Sequence, residues 1–492
     1  MIGSPSELRV LGVEEMYACD RAAIDGGISG DRLMEAAGAA VVREIRKRWT
    51  ARGVLILCGP GNNGGDGFVV ARKLSEAGWP VRVALLGTPE KLRGDAALNA
   101  RRWEGPIRPL EEAEPESADL VVDALFGAGL ARAVEGPAAA ILREIGDRGI
   151  PSIAVDVPSG VHGDTGAVLG TAIAARLTVT FFRLKPGHLL LPGRDLCGET
   201  VVADIGIPPE VLNRLTAPPL YENAPPLWVP RFPWPRREAH KYSRGHVLIA
   251  GGEETTGAAR LAARGAMRMG AGLVTIASPP AARSVYATSM PGALIREDSS
   301  PEVFRDLLSD RRKNAILLGP GGGVGEPLRR RVLAALETSR AVVLDADAIT
   351  AFQGDADRLF RAIHADCVLT PHEGEFARLF ETTGARLADA RCAAAKSGAV
   401  VLLKGPDTII AAPDGRAVIN TNAPPELATA GSGDVLAGMC VALLAQGANA
   451  FDAACAAAWL HGAAAAAFGP GLIAEDIPEM LPTVLRNLEA DA

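Results

Sequence analysis

The sequence predicts an α/β protein of two domains, each built on a mainly parallel sheet covered by helices. Three observations carry that prediction. Short aliphatic runs alternate with amphipathic stretches along the whole chain, the rhythm a parallel sheet buried on both faces requires. The chain has 492 residues, whereas a single core stops growing at roughly 250–300 residues. A proline-rich interval near residue 220 separates two halves that carry different motifs.

In the first half, residues 13–48 read as helical and precede the first strand. Val54–Cys58, 81–86, Leu120–Ala124, 153–157 and 177–182 read as strands, with helices at 68–77 and 138–148 between them. The connector, 217–235, holds many prolines with Trp228 and Trp234 among them. Proline fixes φ and removes a donor, so neither helix nor central strand is expected there. Its tryptophans predict packing on a domain surface. The domains are therefore expected at 1–219 and 220–492. In the second half, His246–Ala250, 273–277, Ala315–Leu318, Ala341–Leu344, 367–370, 400–404 and 408–412 read as strands. Helices at 258–269 and 432–446 are rich in Ala and Gly, which predicts close packing. The halves share no period, so they read as a fusion rather than a duplication.

Hydrophobic residues make up 48% and charged residues 22% of the chain, an ordinary globular balance. Aromatics are only 4%, which leaves Ala, Val, Leu and Ile to build the cores. A net charge of −7 argues against nucleic acid or an anionic membrane as partner. The seven cysteines form no C-x-x-C pair, which fits free thiols in the cytoplasm. No basic-then-apolar leader pattern opens the chain. The Ala-rich run 453–468 contains His461 and Gly462 and reads as a buried helix rather than a membrane span. A homo-oligomer with small-molecule ligands is expected.

The segment Gly59-Pro60-Gly61-Asn62-Asn63-Gly64-Gly65-Asp66-Gly67 follows the first strand and opens a helix. At such a junction backbone amides and the helix dipole face an anion. It is neither G-x-G-x-x-G nor a P-loop, which would carry a Lys. Asp123, before Ala124-Leu125-Phe126-Gly127-Ala128-Gly129, and Asp156, before Val157-Pro158-Ser159-Gly160, close two further strands. Both would point to the same carboxyl edge. Tight turns and helix caps alone account poorly for three such segments together.

These three segments resemble the NAD(P)H-hydrate epimerase family, over residues 10 to 215. The resemblance implies a Rossmann-like domain. It implies a site for hydrated NAD(P)H made by Asn62, Asn63, Gly64, Gly65 and Asp66, by Gly127, Ala128, Gly129, Leu130, Ala131, Arg132 and Ala133, and by Asp156. It also implies a potassium ion held by Asn63, Asp123 and Ser159, all oxygen donors suited to a hard cation. Epimerisation must break and remake a bond at one ring carbon. Asp156 is the expected proton handler, with Lys185 as its partner. Ala36 departs from the family, which usually has Asn there.

In the second half Gly431-Ser432-Gly433-Asp434 opens an apolar helix. Its first amides form an anion hole, and Asp434 is placed to take a proton from a substrate hydroxyl. Lys404-Gly405-Pro406-Asp407-Thr408 ends a strand with a cation and a turn, suited to nucleotide phosphates. Gly319-Pro320-Gly321-Gly322-Gly323 permits close ligand approach, and Thr370-Pro371-His372-Glu373-Gly374-Glu375 adds a His and two acids. Asp345 and Asp347 are acids of the kind magnesium–nucleotide sites use.

This set resembles the ribokinase-like superfamily and, within it, the NAD(P)H-hydrate dehydratase family, over residues 235 to 490. The resemblance implies a hydrate site at Ala258, Gly322, His372 and Asp434. It implies an adenine-nucleotide site at Lys404, Gly405, Pro406, Asp407, Thr408 and Gly433, with ADP as co-substrate and Mg2+ as its ion. Thr350 stands where the family commonly has Asn. Together the resemblances imply repair of hydrated NADH and NADPH: the R and S hydrates are interconverted, and the S hydrate is dehydrated at the expense of ADP, giving AMP and phosphate. The alternatives are a ribokinase-like small-alcohol kinase fused to a dinucleotide-binding module, marked by a stable phosphorylated product, and a non-catalytic binding module.

Overall fold

In the computed structural model, which describes residues 5–364 and 366–491, the aliphatic runs of the first half become seven strands. They are β1 (Val54–Cys58), β2 (Val81–Leu85), β3 (Ile107–Pro109), β4 (Leu120–Ala124), β5 (Ser152–Val155), β6 (Leu177–Phe181) and β7 (Glu199–Ala203). Their order is β3-β2-β1-β4-β5-β6-β7, parallel throughout. The chain runs outward from β1 and then returns to its other side at β4. That reversal leaves a crevice at the carboxyl ends of β1 and β4, where α/β sheets bind ligands. In register, Cys58 lies beside Ala124 and Asp123 beside Ala154, so the turns after β1, β4 and β5 are neighbours. Apolar clusters cover both faces of the sheet.

One expectation is corrected here. The glycine-rich segment is not a loop ahead of a helix at residue 68; the helix spans Asn62–Glu76 and contains Gly64, Gly65 and Gly67, all buried. Local propensity argues against this, since each glycine costs a helix about 1 kcal/mol relative to alanine. Tertiary proximity overrides it. A Cβ at Gly64 would run into the carbonyl oxygen of Gly59, and one at Gly67 would lie 2.8 Å from Cys58 Sγ and 2.9 Å from Ala124 Cβ. Only bare backbone lets this helix sit so close to β1 and β4. Gly59 is itself pinned by its amide to Ala124 O, at 2.9 Å, and cannot yield. Gly64→Ala is therefore expected to destabilise this unit by at least about 1–3 kcal/mol, read as an earlier melting transition.

The chain forms two compact units, Arg9–Ala217 and Pro218–Ala492, with residues 5–8 belonging to the second. The strands of that second unit are β8 (Leu220–Glu222), β9 (His246–Ala250), β10 (Leu273–Ser278), β11 (Leu294–Glu297), β12 (Ala315–Leu318), β13 (Ala341–Leu344), β14 (Cys367–Leu369), β15 (Val400–Leu403), β16 (Thr408–Ala411) and β17 (Ala417–Asn420). Their order is β8-β17-β16-β15-β14-β13-β12-β9-β10-β11. From β15 to β11 the strands are parallel, while β16 is antiparallel to both neighbours. The helix Ser432–Ala445 is apolar all round because it is enclosed. Its Gly438 lies against Ala262 and Gly265 against its Val435, on the helix Thr256–Arg268.

The connector is also corrected. Its Leu220–Glu222 is a strand, paired parallel with β17 at Ala417, Val418 and Ile419. These three residues contain no proline, so their donors are intact. Trp228 is 1% exposed and lies in the core beside Phe232 and Trp459 rather than on a surface. The helix Ala450–Phe468 is long and apolar enough to cross a membrane. Its apolar length is used inside the core instead, through Ala453, Ala457 and Leu460.

Candidate functional site

A cavity of about 600 Å3 opens at the carboxyl edge of the first sheet. Asn62, Asn63 and Asp66 line it from the glycine-rich helix, Gly127, Ala128, Gly129, Leu130, Ala131 and Arg132 from the turn after β4, and Asp156 and Lys185 from those after β5 and β6. Gly64 and Gly65 lie behind the wall, in the helix that carries it. Ala133 is likewise outside the lining.

Asp156 sits at φ 69°, a costly conformation for a residue with a Cβ. The twist is held by its amide on Val179 O at 2.9 Å and by the His188 ring on its carbonyl at 2.8 Å. It turns the carboxylate into the cavity. Oδ1 accepts from Lys185 Nζ at 2.8 Å and Thr180 Oγ1 at 2.9 Å, and Oδ2 accepts from the Ala128 amide at 2.8 Å. Burial acts to raise this carboxyl's pKa, but Lys185 prevails and brings it down to about 2. Burial and Lys185 also push His188 down to about 4, so its ring is neutral. Its Nδ1 accepts from the Lys185 amide at 2.9 Å, which leaves the proton on Nε2. Asp66 is driven well above the carboxylate range by burial and then by Asp156.

Behind the wall, Asp123 accepts from Ser159 Oγ at 2.6 Å and from the Ser159 amide at 2.8 Å. Ser159 Oγ lies 3.3 Å from Phe126 O. Asn63 Nδ2 is buried without a hydrogen-bond partner. A side chain at Gly127 would meet Asp156 Oδ2 at 2.9 Å and Asn63 Oδ1 at 3.3 Å.

The second site gathers at the carboxyl ends of β13, β14 and β15. Lys404 Nζ lies 2.7 Å from Asp345 Oδ1 and 3.8 Å from Glu375 Oε2, and a Cβ at Gly433 would touch it at 3.3 Å. The cation thus joins two acids to the start of the helix Ser432–Ala445, where Gly431 adopts the left-handed cap at φ 91°. Ala346, at φ 47°, kinks the backbone between Asp345 and Asp347. Asp345 also accepts from Thr370 Oγ1 at 2.9 Å, and Asp347 accepts from the Gly323 amide at 2.9 Å. Asp434 stands in the first turn of the helix. Burial and then Asp345 raise its carboxyl to about 7, against the pull of Lys404.

A family model described as NAD(P)H-hydrate dehydratase matches residues 246–485, and one described as YjeF-related protein N-terminus matches residues 30–187. The bifunctional NAD(P)H-hydrate repair enzyme of Salinibacter ruber is 38% identical, with 96% of each chain covered; that of Moorella thermoacetica is 41% identical, with 93% of each covered. The chain belongs to the bifunctional NAD(P)H-hydrate repair enzyme family. A ribokinase-like superfamily protein from Enterococcus faecalis, 23% identical, superposes with a TM-score of 0.50 over 55% of this chain and 96% of its own. That likeness fixes the fold of the second unit as ribokinase-like.

Two positions of this repair-enzyme chain depart from its family's motifs. Ala36 packs on the core of the first unit, and Thr350 accepts from Arg378. His372 caps the helix Glu373–Leu379, its Nδ1 accepting the Gly374 amide at 3.0 Å. Its ring stays exposed. Gly322 donates to Gly319 O at 2.9 Å within its turn, and Ala258 is buried in the helix Thr256–Arg268. In the loop 404–408, Thr408 Oγ1 donates to Gly405 O at 2.7 Å, and the buried Asp407 pairs with Arg386 at 3.3 Å.

Sequence reading alone missed several groups. His461 donates from Nε2 to Ser432 O at 2.9 Å and supports the turn that opens the helix Ser432–Ala445. Thr180 and His188 complete the frame around Asp156. Tyr17 and Asp20 line the first cavity from the helix Val13–Asp25. That last signal was legible: Val13, Met16, Tyr17, Asp20 and Ile24 recur at helical spacing, with one acid among apolar neighbours.

Proposed function

We propose that this chain repairs hydrated NADH and NADPH, its first unit interconverting the R and S hydrates and its second dehydrating the S hydrate at the expense of ADP, with AMP and phosphate as products. The observation that carries this reading is a pair of sheet-edge sites, each with a carboxylate of altered pKa, in a chain matching the family along almost its full length. In the first site, Asn62, Asn63, Asp66 and residues 127–132 surround the hydrate, and Asp156 is the fixed anion beside its ring. The Asn63, Asp123 and Ser159 oxygens fit a hard monovalent cation. Asn63 Nδ2 is buried without a partner, so an amide flip would put an oxygen donor in its place. Potassium there would supply local positive charge.

In the second site, Ala258, Gly322 and His372 border the hydrate and Asp434 takes its hydroxyl proton. Lys404, residues 405–408 and Gly433 hold the nucleotide phosphates. Asp345 and Asp347 are already engaged by Lys404, Thr370 and the Gly323 amide. Mg2+ would therefore arrive with the phosphates rather than in a cage of side chains. Phosphoryl transfer makes a poor leaving group, hydroxide, into a good one, and elimination restores the dihydronicotinamide. A cytoplasmic setting accords with cysteines that are all free and, Cys392 apart, buried.

The test is a mixture of hydrate epimers incubated with ADP or ATP, with and without potassium, both stereoisomers being followed by chromatography. Both epimers should disappear with nucleotide present, and they should equilibrate without it, faster with potassium. A stable phosphorylated product would favour a small-alcohol kinase, and binding without turnover would sink the catalytic reading of both units.

A further inference from the structure

We infer that Asp20 is the acid–base group of the first site: its carboxyl protonates the hydroxyl leaving the hydrate's ring, and its carboxylate recovers the proton from the water that returns on the opposite face. This rests on the epimerase reading of that site.

The geometry divides the work between two acids. Asp156 is held as a fixed, strongly paired anion. Three donors occupy its two oxygens, and a carboxylate held ionised down to about 2 is a weak proton acceptor near neutrality. Asp66 is buried, and burial and then Asp156 push its carboxyl well above the ordinary range, which disfavours the carboxylate that the return of the proton needs. Asp20 differs from both. It lines the cavity from the helix Val13–Asp25, along the stripe of Val13, Met16, Tyr17 and Ile24.

The groups facing Asp20 are Tyr17, Cys19 and Arg21 on its own helix, Asp156 after β5, Lys185 after β6, and Asp66 on the glycine-rich helix. Burial raises its carboxyl to about 6, opposed by Lys185 and assisted by Asp156. It can therefore carry or release a proton near neutral pH.

The step balances without another reactant. Water adding to the enamine of a dihydronicotinamide places its oxygen on the carbon next to the ring nitrogen. The nitrogen lone pair forms a C=N bond as the C–O bond breaks. The Asp20 proton goes to the departing oxygen, so water leaves and Asp20 becomes a carboxylate. The planar cation then turns its other face to Asp20, water adds there as the C=N pair returns to nitrogen, and the water's proton passes to the Asp20 carboxylate. The ionised Asp156 lines the same cavity as a fixed charge for the cationic ring.

The experiment compares Asp20→Asn, Asp20→Glu and the unaltered full chain, using chromatographically separated epimers and subtracting the enzyme-free rate. Asp20→Asn should lower epimerisation kcat by about 10²–10⁴-fold with KM little changed. Dehydration of supplied S hydrate reports that the chain is intact. The unaltered protein should slow as pH rises through about 6, because the protonated carboxyl starts the cycle. Asp20→Glu should restore part of the rate with a displaced pH profile. Unchanged turnover in Asp20→Asn would overturn the inference, as would a loss accompanied by a flat pH profile in the unaltered protein. An unaltered chain that leaves pure epimers unmixed would instead overturn the epimerase reading itself.

Discussion

Asp434→Asn is expected to abolish nucleotide-dependent recovery of dihydronicotinamide absorbance from the S hydrate, while the epimers continue to interconvert. The amide keeps the size of the carboxylate and removes only its basicity. A positioned base contributes about 10²–10⁴-fold, so the residual rate should approach the nucleotide-free background. The pH dependence gives the sharper test. Burial and Asp345 lift this carboxyl from an ordinary 3.8 to about 7. Only its ionised form accepts a proton, so dehydration should rise as pH passes upward through about 7, and the Asn variant should lack that limb. The same shift has a stability consequence. The folded state retains the proton between 3.8 and about 7. This contribution is therefore full below the ordinary carboxylate range and is lost as pH rises toward neutrality. Asp434→Asn should melt with less loss over that interval. Full recovery of absorbance in the variant would remove Asp434 from the chemistry.

Lys185→Met is expected to have the largest effect on the first unit. Lys185 is 2% exposed, and its ammonium is shared among Asp156 Oδ1, Thr180 Oγ1 and Phe181 O, at 2.8, 2.8 and 3.3 Å. Removing one partner of a buried pair leaves the other charge without compensation, at a cost of about 3–5 kcal/mol. The cavity beside Asp156 admits solvent, which places the expected value at the low end. Epimerisation should fall with it, because Asp156 then drifts toward the protonated form. In the intact protein Asp156 is depressed from 3.8 to about 2. Its stabilisation is therefore complete above the ordinary range and disappears as pH falls through about 2. Thermal melts against pH should show this acid limb in the unaltered chain and its loss in Lys185→Met. Adding Asp156→Asn should recover much of the stability without the activity. Stability and turnover both unchanged in Lys185→Met would refute the pair's role.

Much of the site was visible in one dimension because its chemistry is carried by local motifs. Asp123, Asp156 and Asp434 each sit where a strand gives way to a turn or a turn to a helix. Such junctions announce themselves through glycine, proline and an abrupt end of aliphatic residues. The strands β3, β7, β8 and β11 did not announce themselves, nor did the short β17. Short or partly exposed strands lack the continuous apolar run by which buried parallel strands are recognised. Pairings across long separations were equally silent. Lys185 lies 29 residues beyond Asp156 and Lys404 lies 59 beyond Asp345, and no periodicity links either pair.

From residue order alone came the α/β class, the two halves, both glycine-rich segments and the acids that attend them. Each of these is written in spacing and side-chain type over fewer than about twenty residues. Tertiary structure alone decided that the first glycine run is a helix, since its missing side chains are explained only by the strands it lies against. It also decided which acids are ionised, which are pushed well above the ordinary range and which can change. Charge state depends on burial and on neighbours brought together by folding, and neither is a property of a residue's place in the chain.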